Sequence, residues 1–288
     1  MKSDLESRFV KLARSSGDHA QLLELLCLLS KLENPSVSLE ALSARLDTLC
    51  LQAEVRLDDV MSSEDRAWQL CRFLALEQNY RGNTDDYYAP ANSSLDELLR
   101  NGRGIPISLA FLYIHMARSK CWLARGVSFP GHFLVAVYQG SPEAIQGGDS
   151  DQQYSLIDPF RGKLMSKSDC EDMLRAQYGD SAQLQERFFS SADNSVIIRR
   201  MLRNLKHCYL RKKQYSDALR MVNLLLAVYP SDTSELHDRA AILEHMQCYS
   251  AAAADLQAIS QQRPDHPRLS EIRTSISRLE KLSPATVH

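Results

Sequence analysis

Long hydrophobic runs are missing from this chain. No stretch approaches the roughly 18 consecutive apolar residues that a membrane-spanning helix needs. The N-terminal "MKSDLESRFV" lacks the continuous apolar core of a secretory signal. Both absences predict a protein that is neither embedded in a membrane nor exported. Excess charge of either sign is missing too. Thirty-four Lys and Arg stand against 36 Asp and Glu, a formal net charge of −2, so no global field draws the molecule to nucleic acid or an anionic membrane. Paired cysteines are also absent. The seven cysteines, at 27, 50, 71, 121, 170, 208 and 248, form no CxxC. Their odd number and scatter through apolar helical runs predict reduced thiols in a cytoplasmic protein and argue against a structural zinc site. The acid pairs in "TDDYYAP" and "GGDSD" lack the longer register of oxygen ligands, closed by a glutamate, of a calcium loop. No metal and no cofactor is expected.

What is present is the composition of a globular protein. The 288 residues are 44% hydrophobic and 24% charged, enough for one large or two ordinary domains with real cores. The first hundred residues read as helical. "SDLE" at 3–6 and "SLDE" at 94–97 have the form of capping boxes. "HAQLLELLCLLSKLE" is apolar on more than one face and should pack centrally. Leu39, Leu42, Leu46 and Leu49 mark one face of a helix, and Trp68, Cys71 and Leu74 one side of the next. "RGNTDDYYAPANSS" then breaks the pattern with the turn formers Gly82, Asn83, Pro90 and Asn92, and Tyr87 and Tyr88 should pin this loop to the body. The helix begun at "SLDE" should end at Asn101-Gly102. In "RGIPISLAFLYIHMARSKC", Pro106 suits a first helical turn, and the nearly all-round apolar run from Ile107 to Ala117 predicts a core helix.

The period then changes. "WLARGVSF" and "HFLVAVY" read as strands, "QGSPEAIQGGDSDQ" as a polar loop, and "YSLID" and "GKLM" as two more strands turned by "PFR". Helix resumes at "SKSDCEDMLRAQYG". Near the end the chain repeats itself. Tyr215, Ser216, Ala218 and Pro230 recur as Tyr249, Ser250, Ala252 and Pro264, each 34 residues on. This period, with a Tyr-x-x-Ala turn and a closing proline, resembles the tetratricopeptide repeat, a helix–turn–helix unit. Two units fall below the usual minimum for a free-standing solenoid, so they should stack on the preceding domain. The expected class is α+β and mostly helical: a central helix with a small antiparallel sheet in residues 1–190, then α-hairpin repeats in 191–288.

Three residues could carry chemistry: Ser108 in the first turn of the core helix, His132 at the start of a strand in "FPGHFLV", and Asp158 at the end of "YSLIDPF". Neighbouring antiparallel strands could bring His132 and Asp158 side by side, the carboxylate fixing the imidazole tautomer. A nucleophile at the helix start would gain from the helix dipole and from free N–H groups able to hold an oxyanion. Each residue also has a plain reading. Ser108 is then a capping or ST-turn residue, His132 a buried histidine completing a turn, and Asp158 a turn residue before Pro159.

"RGIPISL", "FPGHFLV" and "LIDPF", in this order and spacing, resemble the SirB1 family of bacterial proteins, which joins a transglutaminase-like core to tetratricopeptide-like repeats. The resemblance covers about residues 60 to 270 and implies a papain-like α+β core. It aligns His132 and Asp158 with the histidine and aspartate of the transglutaminase triad. The nucleophile departs from the pattern. Where transglutaminases carry a cysteine, this chain reads Pro106-Ile107-Ser108, and no cysteine occurs between Cys71 and Cys121. Cys121 falls at the far end of the core helix, roughly 20 Å from its start. The reading that follows is a non-catalytic transglutaminase-like protein acting in protein–protein interaction or regulation, with a protein or peptide partner on the repeats and the His132 cleft. The alternative is a hydrolase or acyl transferase of amides or esters using Ser108, His132 and Asp158. The family is linked to transcriptional regulation, but no DNA-reading element stands out, so any such effect would be indirect. "RRMLRNLKHCYLRKK" at 199–213 is basic without an acid and reads either as a solvated repeat-helix face or as a nucleic-acid contact. The absence of interleaved aromatics weighs against nucleic acid.

Overall fold

The structure, a computed structural model, describes residues 4–15, 17–59, 62–140 and 153–283. Ser3 of the first capping box and most of the polar loop after 138, "GGDSD" included, lie outside the described residues. The chain forms two compact units. One is Ser15–Met201. The other is Met1–Arg14 with Leu202–His288, so the first helix, α1 (Asp4–Ala13), belongs with the C-terminal residues.

In the first unit α2 (His19–Glu33) buries leucines on several sides, Leu22, Leu25, Leu26, Leu28, Leu29 and Leu32, as an all-round apolar helix must. The next helix, α3 (Leu39–Arg56), buries Leu42, Leu46, Leu49 and Ala53 on one stripe. The following helix departs from its expected face. In α4 (Ser63–Cys71) the buried stripe runs through Ser63, Arg66, Ala67 and Leu70, and the backbone then widens into a π-helical turn over Arg72–Glu77. Leu70, Cys71, Phe73 and Leu74 are buried, but Trp68 is 54% exposed beneath the Arg72 guanidinium. The helix α5 (Leu95–Asn101) starts at the Ser94 cap and stops at Gly102, whose φ of 68° is left-handed. Around it run two very short parallel strands, β1 (Arg81–Gly82) and β2 (Arg103–Gly104).

Helix α6 (Pro106–Ser119) is the core helix. Its residues from Pro106 through Ile114 are all buried, and it packs on β3 (Ala124–Val127) and β4 (Leu134–Tyr138). With β5 (Tyr154–Asp158) and β6 (Lys163–Met165) these form an antiparallel sheet in the order β3-β4-β5-β6. Val135 pairs with Ile157, so the start of β4 and the end of β5 meet at one end of the sheet. The other face of the sheet is covered by α7 (Lys167–Tyr178) through Cys170 and Leu174, with Phe188 and Phe189 against Phe129. The α+β class expected from the sequence is the class observed.

The second unit is helical: α8 (Asn194–Arg211, from Leu202 on), α9 (Tyr215–Val228), α10 (Thr233–His245), α11 (Tyr249–Gln262) and α12 (Leu269–Leu282). The 34-residue period holds down to the backbone. Lys213 and Gln247 share a positive φ near 60°. Gln214 N donates to Tyr209 O as Cys248 N does to Leu243 O. Ala218 and Ala252 are both fully buried where the helix pairs approach. Helix α1 packs on α9, and Arg14 Nε donates to Ala227 O at 2.8 Å, satisfying a carbonyl at that helix's C-terminal end.

The basic stretch 199–213 is a solvated face only at its end, where Arg211, Lys212 and Lys213 are exposed. Lys206 is 1% exposed and bridges Glu235 (2.6 Å) and Asp238. Arg203 bridges Glu235 and Asp232. Arg200 donates to Ser128 Oγ and covers the Phe133 ring. Acids 29 to 32 residues further along α10 supply the counter-charges, beyond the reach of any local charge pattern.

One polar pair in the first unit makes its stability depend on pH. His19 Nε2 and His115 Nδ1 lie 2.9 Å apart, and His19 stacks on Phe111. One ring must donate and the other accept, so double protonation breaks the contact. Burial, then the Arg118 and His115 charges, lowers the His19 pKa from 6.5 to about 3. The unfolded chain takes up a proton below about pH 6.5 that the folded chain refuses until far lower. This stability is therefore complete at neutral pH and is lost as pH falls through that window. Urea denaturation should find the protein about 2 kcal/mol less stable at pH 5 than at pH 7 from this group. His19→Gln should remove most of that difference; an unchanged slope would refute the assignment.

Candidate functional site

The site begins with a turn. After β5, Asp158 Oδ1 accepts from Phe160 N (2.9 Å) and Arg161 N (3.1 Å), a side-chain-capped turn of the kind an Asp-Pro sequence favours. The same oxygen accepts from His132 Nε2 at 2.9 Å, and Oδ2 takes the Arg161 guanidinium at 3.3 Å. One carboxylate thus caps the turn and orients the imidazole. Asp158 is fully buried, and burial alone would raise its carboxyl. The hydrogen bond and charge of His132, with the Arg161 N–H and guanidinium, outweigh that and hold it below the usual carboxylate range.

His132 arrives from the other strand. Its N–H donates to Phe129 O in the tight turn at Pro130-Gly131, which aims the ring back toward β5. The ring stands edge-on to Phe160 with 15% of its side chain exposed. With Nε2 committed to the carboxylate, Nδ1 is the ring's remaining polar atom. His132 borders an open basin of about 720 Å³ whose other walls include Arg161, Lys163, Asp172, Met173 and Gln177, while Asp158 lies buried behind it. Among the described residues no cysteine, serine or threonine lines it.

Ser108 is not joined to this pair. It sits at the third position of α6, 3% exposed. Its hydroxyl accepts from Ile105 N (3.1 Å) and donates toward Asn92 O (2.7 Å) or Ile105 O (3.1 Å). A side chain on Gly104 would come within 2.7 Å of this hydroxyl, so the glycine of "RGIPIS" is needed for the close approach of β2. Asn92, read in sequence as a turn former, is the buried anchor of the preceding loop. Its amide donates to Asp86 O and Tyr87 O and its Oδ1 accepts from Asn83. Tyr87 and Tyr88 are each about two-fifths exposed, and Tyr87 packs edge-on against Phe160, so the loop is held by the asparagines and by this ring contact. Gly82 N donates to Phe160 O and Asn83 N to Gly104 O, which ties "RGN", "RGIPIS" and "DPF" into one knot.

The sequence model of the transglutaminase-like superfamily matches residues 40–203, more than half of the chain. The chain belongs to this superfamily. A tetratricopeptide-repeat model matches residues 205–277. A UPF0162 protein of Vibrio cholerae is 29% identical over 94% of this chain and 97% of its own length. A UPF0162 protein of Xylella fastidiosa is 30% identical over 70% of this chain and 69% of its own. Protein SirB1 of Salmonella typhimurium is 27% identical over 81% of this chain and 82% of its own. No solved structure matches.

Within this transglutaminase-like unit three further polar side chains feel the Asp158 charge. They are Cys71, 6% exposed at the end of α4, Tyr113, fully buried on α6, and Cys170, fully buried on α7. None was read in sequence as a site residue, because only the fold brings it to the carboxylate. Burial pushes the Cys71 thiol up to about 12 and the Cys170 thiol to about 11, the opposite of an activated nucleophile. Among the described residues no cluster of His, Cys, Asp and Glu has the form of a metal site, and no helix is long and apolar enough to cross a membrane.

Proposed function

We propose that this protein binds other proteins and does not perform the acyl transfer of transglutaminases. The observation that carries this reading is the basin beside His132. It keeps an oriented imidazole but has no nucleophilic hydroxyl or thiol in its walls among the described residues. The Ser108 hydroxyl is buried and spent on Asn92 and Ile105. The tetratricopeptide region supports the binding half of the proposal, since stacked helical hairpins present extended concave surfaces to partners. All seven cysteines are free thiols, which supports a reducing, cytoplasmic setting. A role in regulation is part of the same proposal.

A second reading, hydrolysis or acyl transfer, draws on the His132–Asp158 hydrogen bond, the arrangement a general base needs. It requires Ser108 to leave its present partners and reach the imidazole. Incubating the purified chain with p-nitrophenyl esters and with glutamine-containing peptides plus an amine decides between them. The binding proposal expects no turnover above buffer and no effect of His132→Ala. A rate that His132→Ala lowers about 100-fold or more would establish the enzyme.

A further inference from the structure

Strand β6 is the outer strand of the antiparallel sheet and pairs only with β5. Its other edge has no backbone partner among the described residues. Beside it lies an open hollow of about 710 Å³. The hollow is lined by both Leu164 and Met165. Successive strand residues point to opposite faces, so the hollow wraps around the free edge. Tyr154, Leu156, Leu184 and Phe189 complete its apolar walls. Met165 and Asp169 also line the basin at His132, so the two depressions adjoin along β6.

The charge at the rim has one sign in excess. Glu64, Asp169 and Glu186 line the hollow against a single Lys167. Asp169 is engaged by Ser166 and Lys163. Glu64 and Glu186 have no ion-pair partner among the described residues.

We propose that this edge accepts an extended, basic and apolar segment of a partner protein, added to β6 as a fifth strand. The inference rests on the protein-binding reading above and names the partner's chemistry. An added strand would satisfy the open N–H and C=O groups of β6. Alternate side chains would enter the apolar hollow, while those between them would pass Glu64 and Glu186, where lysine or arginine fits. The three residues of β6 provide only a short ladder, so the hollow and the two glutamates carry most of the affinity. One end of such a segment would reach His132.

The test is fluorescence anisotropy on the full chain with a labelled hexapeptide of alternating valine and lysine. Three comparators are needed: the same peptide with glutamate for lysine, the same peptide N-methylated at alternate amides, and the protein carrying Glu64→Lys and Glu186→Lys. The proposal expects saturable binding that weakens with salt and falls roughly tenfold or more in the charge-reversed protein. It expects no binding of the glutamate peptide and clearly weaker binding of the N-methylated one. Circular dichroism checks that the variant is folded, and the N-methylated peptide tests the edge on the unaltered protein. Equal binding of the N-methylated peptide, or no binding of the valine–lysine peptide, overturns the proposal and leaves the repeats as the binding surface. A His132-dependent acyl rate would instead overturn the non-catalytic reading without altering the anisotropy result.

Discussion

Asp158→Ala is expected to destabilise the transglutaminase-like unit by about 3 kcal/mol, the scale set by leaving several buried donors without an acceptor. The carboxylate is fully buried and accepts from His132, from two backbone N–H groups and from Arg161. Alanine removes all of these at once. Asp158→Asn keeps an oxygen for the turn and for His132 and should lose about 1 kcal/mol. Both tryptophans of the chain, Trp68 and Trp122, lie in this unit, so urea denaturation followed by tryptophan fluorescence reads the effect. The contribution also has a sign in pH. A carboxyl held low in the folded state stabilises above its unfolded pKa of about 3.9. That stability disappears as pH falls through the lower folded value, so the gap between wild type and Asp158→Ala should narrow in acid. If Asp158→Ala unfolded at the wild-type urea concentration, the turn and the pair would not have the structural weight given to them here.

Glu235→Ala should be comparably damaging to the repeat unit. Glu235 is 1% exposed and bridges Arg203 and Lys206, and Lys206 is itself 1% exposed. Removing one partner of a buried pair leaves the other charge desolvated and costs about 3 kcal/mol. Asp238 remains to Lys206 but is 38% exposed and offsets only part of this. The double variant Glu235→Leu, Lys206→Met replaces both buried charges with apolar volume and should return to within about 1 kcal/mol of wild type. The loss is read as a lower denaturation midpoint by circular dichroism at 222 nm. Additive losses in the double variant would show that the two charges do not act as a pair. Elsewhere in the unit, Arg239 on Asp255 forms a bidentate clip between α10 and α11, and Arg278 on Glu244 one between α12 and α10.

The helices and strands were legible because their causes are local. The 34-residue repeat fixes where the hairpins turn, since a small residue at Ala218 or Ala252 and a proline after each second helix act over a few residues. Alternation of period marked the sheet, and the all-round apolarity of α6 marked the core helix. The face of α4 was misread through Trp68 because its buried stripe starts with the polar Ser63 and Arg66, which composition does not mark as core. In the basic stretch, the sequence displays seven cations and conceals the partners of Arg203 and Lys206, which lie two helices further on.

The candidate site divides in the same way. His132 and Asp158 could be named from sequence because one stands at the start of a strand segment and the other at the end of the next, each near a proline, and a two-strand register is enough to bring them together. The absence of a cysteine at the start of α6 was equally plain. What only the tertiary structure decided is the company each side chain keeps. Ser108 turns to Asn92, Cys71 and Tyr113 come to lie within reach of the Asp158 charge, and β6 is left as an open edge beside an apolar hollow. Sequence determines the period and sign of the local pattern. Which buried polar group meets which, and which edge stays open, depends on long-range packing that no local period encodes.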